Sequence, residues 1–398
     1  MSDETPRDED ALTHERREPR SRRDAPAPRP NETRSPSAII SDSRTEFDFI
    51  NHIRRRASRR ERIETPEKLS ASARQRHPSS RRSSLALGIG DDAAIITQAN
   101  GRETVITADL LVEEIDFRRD SMRPRLLGHK ALAVSLSDIA AMGARPRWAM
   151  LSLGVPREIW DSSFVDEFYE GFFALADAYD VALIGGDVSR TPERIVVDSI
   201  VLGETLNGQA VLRRGARAGD HIFVTGTLGG AAAGLRCLER GARLGETGSA
   251  RRKGREIERL LLRQLRPQPR VKWGALLGAE RLATAMIDLS DGLSSDLAHL
   301  CRASRTGAVI EASRLPINSA VARVCGRRAL DPLALALHGG EDFELLFTIR
   351  PRDLRRLPRA VDGVPATYIG DVTHRAGGIQ ILEGRRRWTL EPAGFEHF

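Results

Sequence analysis

The sequence predicts an α/β protein with two domains that follow an N-terminal extension. The length of 398 residues is compatible with two or three domains, and 40% hydrophobic with 29% charged residues is an ordinary globular composition. After residue 84, runs of β-branched and apolar residues alternate with helical patterns, which is typical of this class. No apolar run reaches the ~20 residues of a membrane span.

Residues 1–44 are rich in Pro, Arg and acidic residues and nearly free of large apolar ones, so we expect a disordered extension. Thr45–Arg56 has the apolar spacing of a short helix, and residues 54–84 read as an Arg-rich loop. Basic residues outnumber acidic ones by 62 to 55, and much of the excess lies in this loop. Such a segment could bind nucleic acid, but it lacks interleaved aromatic residues, so a solvated arm is the preferred interpretation.

The first predicted domain spans residues 45–203. Its helices are expected at Pro124–Met142, which stops at Gly143, and at Asp161–Tyr179. Strands are expected in the following segments: 85–96 and 103–114 around a turn at Gln98–Arg102, then Trp148–Gly154, Val181–Gly185 and Arg194–Glu204, the last two joined by the loop GGDVSRTPE.

The second predicted domain spans residues 204–398. Asp220–Gly226 is expected to be a strand that enters a Gly- and Ala-rich helix, and Glu256–Leu265 a further helix. Trp273–Gly278 followed by ATAMIDLSDGLSSDLAHLCRAS predicts a strand that runs into a turn and a helix. The remaining strand predictions are Ala308–Glu311, Phe343–Ile349, Ala366–Ile369 and Ile379–Leu382.

Acidic residues at the ends of predicted strands are the dominant chemical signal. A carboxylate beside an apolar strand is costly to desolvate, but it is well placed to hold a hard cation such as Mg²⁺. Each motif alone also fits a turn or a helix N-cap, and it is their number that favours a site. The six places are Asp91–Asp92, Asp109, Asp138, Asp187, Asp288 with Asp291, and Glu341–Asp342.

Other signals are weaker, and several motif classes are missing. The segment VTGTLGGAAAGL could present backbone N–H groups to an anion, or could serve close packing. Lys130 and Arg213 could contact phosphate, and His129 reads as an ordinary helix residue. The sequence contains no Walker A loop, GxGxxG, GxSxG or HExxH motif. The three cysteines are widely spaced, which argues against a disulfide framework or a zinc site and favours a reducing cytoplasm.

In order along the chain, the motifs resemble those of the thiamine-monophosphate kinase family. The resemblance runs from about Thr45 to Phe398 and includes LGIGDDAAII, GHKALAVSLSDIAAMGARP, LIGGDVSR, AMIDLSDGLSSDL, HGGEDFELLFT and the terminal GFEHF. Single pieces also resemble the wider superfamily of aminoimidazole ribonucleotide synthetase, selenophosphate synthetase and a hydrogenase-maturation protein. The resemblance implies a two-domain fold with mixed sheets flanked by helices, in which the N-terminal domains pair as a homodimer.

The resemblance also implies an activity: transfer of the γ-phosphoryl group of ATP to thiamine monophosphate, assisted by several Mg²⁺ ions and without a general base. The implied metal positions are Asp92, Thr107, Ala108, Asp109, Asp138, Asp187, Asp288 and Asp291. The implied ATP contacts are Gly186, Asp187, Arg213 and Ser290. The implied thiamine-phosphate contacts are Asp116, Glu341 and Phe395.

The sequence departs from the family pattern at two of these positions. Ala108 stands where Thr is frequent, so only its main-chain carbonyl could serve a metal. Asp116 stands where His is common, in a VEGxHF-like run that here reads VEEIDF.

Two alternatives to the kinase hypothesis stay open at this point. The first is another ATP-using enzyme of the superfamily, resembling aminoimidazole ribonucleotide synthetase. Selenophosphate synthesis is disfavoured because the earliest cysteine is Cys237, and the hydrogenase-maturation role because the chain ends in EHF without a terminal Cys. The second alternative is nucleic-acid binding through the Arg-rich segment, which predicts binding that weakens steeply with salt.

Overall fold

The computed structural model describes residues 50, 53–55, 84–245, 252–325, 330–374 and 378–395. The predicted extension 1–44 lies outside the described residues, as does nearly all of the predicted Arg-rich loop. Of the predicted helix Thr45–Arg56, only Ile50 and residues 53–55 are described, and they are helical.

Six strands form the first sheet: β1 Leu85–Leu87, β2 Ala94–Thr97, β3 Arg102–Val112, β4 Arg145–Val155, β5 Ala182–Arg190 and β6 Val196–Leu206. Their order is β1-β2-β3-β6-β4-β5, and every pair is antiparallel except β4 with β5. Between residues 84 and 206, where every residue is described, this half has three helices: α1 Pro124–Ala141, α2 Arg157–Trp160 and α3 Phe164–Tyr179. Alternate residues of β3, β4 and β6 are buried because α1 covers one face of the sheet.

Helix α1 packs against elements from both halves of the chain. Pro124 occupies its first turn, where the missing N–H costs nothing, and the run of Ala and Leu favours the helix. It is buried on nearly all sides because it packs against the first sheet, against α3 and against elements of the second half. Its few polar side chains are therefore held inside the protein.

The second sheet contains eight strands, of which seven follow the order β14-β13-β9-β12-β7-β10-β8 and the eighth, β11, pairs with β12. These strands are β7 His221–Thr225, β8 Ala283–Asp288, β9 Gly307–Glu311, β10 Leu345–Ile349, β11 Ala360–Val361, β12 Val364–Thr373, β13 Ile379–Glu383 and β14 Arg386–Thr389. Six helices accompany it: α4 Gly230–Glu239, α5 Arg252–Leu265, α6 Val271–Ala279, α7 Leu293–Ser304, α8 Ser319–Cys325 and α9 Pro332–His338.

The two sheets share one hydrophobic core. Leu136 of α1, Trp273 of α6 and Phe347 of β10 belong to the same buried cluster, and a second cluster fills the other face of the second sheet. Helix α6 approaches α1 so closely that a Cβ at Gly274 would overlap the carbonyl oxygen of Ala140. This contact fixes the polar residues of α1 against the second half of the chain.

Two predicted elements are wrong. The segment GGDVSR, expected to be a loop, continues strand β5 to Arg190, because an exposed edge strand needs no apolar run to keep its ladder with β4. Trp273–Gly278, assigned to a strand, lies in helix α6, and the strand begins only at Ala283. An apolar run this short fits either a buried strand or a buried helix.

A third prediction, the strand 85–96, holds only in part, because residues 88–93 form a loop between β1 and β2. The remaining predicted strands and helices between residues 103 and 382 are present, with ends that shift by a few residues. The short helices α2, α8 and α9 and strand β14 were not predicted. Among the described helices, none combines the length and the apolar character needed to cross a membrane.

Candidate active site

Three carboxylates from separate parts of the chain converge where the two halves meet. Asp92 comes from the loop between β1 and β2, Asp138 from the last turns of α1, and Asp288 from the end of β8. One oxygen of each lies within 4.8 Å of the others. Asp92 and Asp288 are buried, and Asp138 is partly buried. Three like charges at this spacing repel one another unless protons or cations intervene.

Hydroxyl groups and one guanidinium hold these carboxylates in place. Thr107 Oγ1 of β3 donates to Asp138 Oδ2 at 2.5 Å, and Ser137 Oγ of α1 donates to Asp288 Oδ2 at 2.6 Å. Arg213 Nη2 donates to Asp92 Oδ1 at 2.7 Å. The Ser137 and Arg213 contacts cross between the two halves, so the cluster exists only when the halves are docked.

Asp109 extends the cluster along β3. Thr107, two residues earlier, points to the same face of the sheet, toward α1, and the hydroxyl of Ser135 on α1 lies beside the Asp109 carboxylate while it donates to Ser199 O at 3.2 Å. Burial raises the pKa of Asp109 to about 6; the Ser135 hydroxyl opposes this shift, and the charges of Asp198 and Asp92 add to it. Asp109 therefore joins the acidic group that Asp92 begins, whereas Asp198 is paired with Leu110 on the opposite face of the sheet and acts on Asp109 through its charge.

The pKa values show how strongly the site disfavours bare negative charge. Burial, followed by the charge of Asp92, raises the pKa of Asp288 to about 8 despite the hydrogen bond from Ser137. Burial and the neighbouring carboxylates Asp109, Asp288 and Asp92 also hold the pKa of Asp138 well above its ordinary value. A cation bound in this position would offset the negative charge of the ionised carboxylates.

The donor set fits a hard divalent cation. Asp92 Oδ2 and Asp109 Oδ2 are buried oxygens without a hydrogen-bond partner among the described residues. An unpaired buried carboxylate oxygen is costly, and a bound cation removes that cost. All the candidate ligands are oxygen atoms, which Mg²⁺ prefers over nitrogen or sulfur.

Three further acids beside the cluster have structural partners. Asp342 accepts hydrogen bonds from Gly229 N at 2.6 Å and Ala231 N at 3.1 Å, so it caps α4. The helix start in VTGTLGGAAAGL, considered as an anion site, is thus occupied by the protein's own carboxylate. Asp296 accepts a hydrogen bond from Gly292 N at 3.0 Å, in the same manner, at the start of α7.

Glu344 is the third of these acids, and it lies in a buried ion-pair network. It accepts hydrogen bonds from Arg270 Nη2 at 2.6 Å and from Arg263 Nη2 at 3.0 Å. Burial alone would raise the pKa of Glu344, but the two guanidiniums lower it overall. This network ties the start of α6 to the loop before β10 and thereby supports the HGGED segment.

The remaining predicted metal positions lie around the cluster in different settings. Asp109 and Asp187 lie inside strands rather than at strand ends, so the strand-end description is wrong for them. Ala108 points to the outer face of the first sheet, away from Thr107 and Asp109. Asp187 is exposed on β5, and its Oδ1 accepts a hydrogen bond from Val188 N at 2.9 Å.

The loop Leu289–Gly292 carries the predicted residues Ser290 and Asp291. Ser290 O accepts a hydrogen bond from Glu341 N at 2.8 Å, and Asp291 O accepts one from Phe395 N at 3.2 Å. The loop Leu289–Gly292, which we call the metal-side loop, is therefore bound by Glu341 and Phe395, two of the predicted substrate residues. Gly394, which precedes Phe395, fits only without a side chain because Asp291 O and Ser295 Oγ fill the space where a Cβ would be.

Two predicted contacts have other partners in the structure. Asp116 Oδ2 accepts a hydrogen bond from Val112 N at 2.8 Å at the end of β3, and no described hydrogen bond or ion pair joins Asp116 to the carboxylate cluster. Lys130, considered as a phosphate contact, has no exposed surface and pairs with Glu341. His129 is buried against Pro267 O at 2.7 Å, as expected of a residue without a catalytic part.

Sequence reasoning missed several neighbours of the predicted acids: the hydroxyl groups of Ser135 and Ser137, the amide of Gln264, and the carboxylates of Asp198 and Asp296. The run SLSD contained a signal: Ser137 and Asp138 lie on a helix that is otherwise buried and apolar, where polar side chains need partners. Asp198 and Gln264 carried no such signal, because only the packing of distant segments brings them to the site.

Comparison with known proteins agrees with this geometry. Residues 90–205 match the family model described as AIR synthase related protein, N-terminal domain, and residues 217–382 match the corresponding C-terminal domain. The chain is 39% identical over 324 residues to thiamine-monophosphate kinase of Escherichia coli strain K12, which covers 80% of this chain and 94% of that protein. The chain belongs to the thiamine-monophosphate kinase family.

Other members of the thiamine-monophosphate kinase family are similar in sequence and in structure. The enzyme of Bacillus subtilis strain 168 is 39% identical over 321 residues, with 79% of this chain and 94% of that protein covered. A solved structure titled AaThiL complexed with AMPPCP and TMP is 30% identical, with a TM-score of 0.71, and covers 89% of this chain and 97% of that one. The resemblance and the fold class predicted from the motifs are both confirmed.

Proposed function

We propose that this chain phosphorylates thiamine monophosphate with ATP, giving thiamine diphosphate and ADP. An oxygen of the acceptor phosphate forms a bond to the γ-phosphorus, and the bond from that phosphorus to the β–γ bridging oxygen breaks. The observation that carries the proposal is the convergence of Asp92, Asp138 and Asp288 within 4.8 Å in a chain of this family. Both substrates are anions, and a site for bringing two anions together needs held positive charge.

We assign the metal site to Asp92, Asp138 and Asp288, with Asp109 beside them. The resemblance extends this set to Thr107, the main chain of Ala108, Asp187 and Asp291. These residues would hold Mg²⁺, and a bound ion would supply positive charge that offsets the charge of the phosphates. The role of the chain is to hold the carboxylate oxygens in place before the substrates arrive, through the hydroxyl donors Thr107 and Ser137.

The chain needs no general base for this reaction. The acceptor phosphate is ionised near neutral pH, so its oxygen is already a nucleophile, and positioning and electrostatics supply the catalysis. We place ATP against Gly186, Asp187, Arg213 and Ser290. The Arg213 guanidinium is already fixed by Asp92, which places a permanent positive charge beside the carboxylate cluster.

Thiamine monophosphate is placed against Glu341 and Phe395, with Asp116 as the third contact. Glu341 and Phe395 support this assignment because their backbone N–H groups bind consecutive carbonyls of the metal-side loop, Ser290 O and Asp291 O. A substrate that touches both side chains would therefore lie close to the cluster. The assignment of Asp116 as a substrate contact rests on the resemblance alone.

We also propose a homodimer formed through the domain that we assign to residues 45–203, with residues 204–398 as the second domain. The face of the first sheet that points away from α1 carries an apolar row, in which paired strands place Ile106, Trp148, Met150, Ile200 and Leu202 side by side. Leu110 ends the row beside Asp198, with 57% of its surface exposed. A second copy of the same face would bury this row.

The cytoplasm is the compartment we propose for this activity. Cys237, Cys301 and Cys325 are buried, and none of the three forms a disulfide bond in the structure. Buried thiols without disulfide bonds suit a reducing compartment.

The test of the proposed function is a product-mass assay with ATP and Mg²⁺. Thiamine monophosphate, thiamine and aminoimidazole-pathway substrates are supplied side by side to the full chain. We expect thiamine diphosphate and ADP in equal amounts from thiamine monophosphate, and no product from the other acceptors. If only an aminoimidazole-pathway substrate gives a product, the kinase proposal is wrong and the chain has the other superfamily activity.

A further inference from the structure

Lys130 is a fully buried cation outside the carboxylate cluster. It lies on α1, its side chain has 0% exposure, and its Nζ is 2.5 Å from Glu341 Oε1. Among the described residues, Glu341 is the acidic group with which it forms an ion pair. A buried ammonium group is costly, and a structural hydrophobic residue would fill this space at lower cost. Stability therefore does not explain why a charged residue occupies position 130.

The backbone of Glu341 is already fixed without Lys130. Its φ of 64° lies in the left-handed region, which a residue with a side chain rarely occupies. The strain is held by the hydrogen bond from Glu341 N to Ser290 O at 2.8 Å and by Phe343 N, which donates to Leu289 O at 2.9 Å. What the backbone leaves open is the direction of the Glu341 carboxylate.

Two buried groups determine that direction. Lys130 Nζ contacts Oε1, and the Gln264 side-chain amide donates to Oε2. The Glu341 side chain nevertheless keeps 29% of its surface exposed, so it can still meet a ligand. Lys130 itself has no surface with which to touch one.

We propose that Lys130 is a positioning residue that orients the Glu341 carboxylate toward the acceptor substrate. This inference rests on the proposed function, because it assigns Lys130 a role at the substrate side of that site. The geometry also explains why the residue lies on α1. Asp138 is on the same helix, about 12 Å further along its axis at 1.5 Å per residue, so one rigid element orients both a metal-side and a substrate-side carboxylate.

The kinetic test compares Lys130→Met, Glu341→Gln and the double variant. Lys130→Met is expected to raise KM for thiamine monophosphate ~10-fold or more and to leave KM for ATP within about twofold. If Lys130 acts through Glu341, adding Lys130→Met to Glu341→Gln changes KM by less than about twofold. The matched control is Lys272→Met, which breaks an exposed ion pair with Asp362 and is expected to leave both KM values unchanged.

A second variant keeps the test decisive if Lys130→Met folds poorly. Gln264→Met removes the neutral contact and leaves the ion pair, and we expect a smaller rise in the same KM. The proposal would be overturned if Lys130→Met raised KM equally for thiamine monophosphate and ATP. It would also be overturned if the effects of Lys130→Met and Glu341→Gln were additive in the double variant. Either result would indicate that Lys130 supports the structure in general and does not act through Glu341.

A crystal structure of Lys130→Met separates this inference from the proposed function. The Glu341 carboxylate is expected to leave its place against α1, and a carboxylate that stays in place refutes the positioning role. Failure of the wild-type chain to phosphorylate thiamine monophosphate would instead refute the proposed function, and the position of the Glu341 carboxylate would still decide the role of Lys130.

Discussion

Ser137 on α1 donates a hydrogen bond of 2.6 Å to the carboxylate of Asp288 at the end of β8. The next residue on the helix, Asp138, is itself a member of the carboxylate cluster. Two consecutive residues of one helix thus serve the cluster in different ways: Asp138 contributes a carboxylate, and Ser137 orients a carboxylate from the other half of the chain.

Ser137→Ala is therefore expected to weaken metal binding without removing a ligand. Loss of a partner that orients a metal ligand typically costs 10–100-fold, so we expect the Mg²⁺ concentration for half-maximal rate to rise by ~10-fold or more. A Mg²⁺ titration of the rate at saturating ATP measures it. Ser319→Ala, at the exposed start of α8, is the matched control. An unchanged Mg²⁺ requirement in Ser137→Ala would contradict the assignment.

Asp138→Asn should separate stability from activity. Because burial and like charges raise the pKa of Asp138, a neutral amide removes repulsion, and the metal-free protein should melt at a higher temperature at about pH 8. Turnover should fall by ~100-fold or more because a ligand is lost. Calorimetry and the kinase assay test the two halves of the prediction. Activity like that of the wild type at saturating ATP and Mg²⁺ would refute the metal assignment.

Stability without metal should decrease as the pH rises. The folded-state pKa of Asp288 is about 8 and that of Asp109 about 6, both above the ordinary 3.8. A carboxyl group with a raised pKa binds its proton more tightly in the folded state than in the unfolded state. Ionising the group therefore lowers the free energy of unfolding; this loss is absent below about pH 4 and grows until the pH passes the folded pKa. Mg²⁺ competes with these protons, and the rise in Tm on adding Mg²⁺ should be larger at about pH 8 than at about pH 5.5. An equal rise at both pH values would show that these carboxylates do not bind the ion.

Phe395→Ala should affect one substrate more than the other. The ring is on a segment whose N–H binds Asp291 O, and 52% of the residue's surface is exposed and available to a ligand. We expect KM for thiamine monophosphate to rise ~10-fold, and KM for ATP to change by less than about twofold. Phe395→Trp keeps an aromatic face and should retain most of the affinity. If both KM values rise together, the ring supports the metal-side loop and does not contact the substrate.

Leu110→Asp should convert the proposed dimer into monomers. It introduces a second carboxylate beside Asp198 at the end of the exposed apolar row of the first sheet, where a second copy would have to bury it. Light scattering after size exclusion gives the mass of each form. Leu262→Asp, at a residue with 38% exposure on α5, is the matched control and should leave the wild-type mass unchanged. A dimer that survives Leu110→Asp uses another face.

The motifs alone identified the family, the fold class and the acids that form the cluster. LGIGDD, SLSD and MIDLSDGL each carry their chemistry in consecutive residues, and local patterns such as the helix Pro124–Ala141 depend on near neighbours in the chain. The carboxylate types and their strand context were enough to predict a site for a hard cation, and the structure brings Asp92, Asp138 and Asp288 together.

Which polar groups meet was decided by the tertiary structure. Lys130 and Glu341 are far apart in the chain, and their contact exists because α1 docks against the second half through Gly274. The start of α4 was open to interpretation as an anion site until folding placed the Asp342 carboxylate there. Side-chain partnerships over such distances depend on packing that no local pattern encodes, whereas the charge, size and hydrogen-bonding capacity of each residue are properties of the sequence itself.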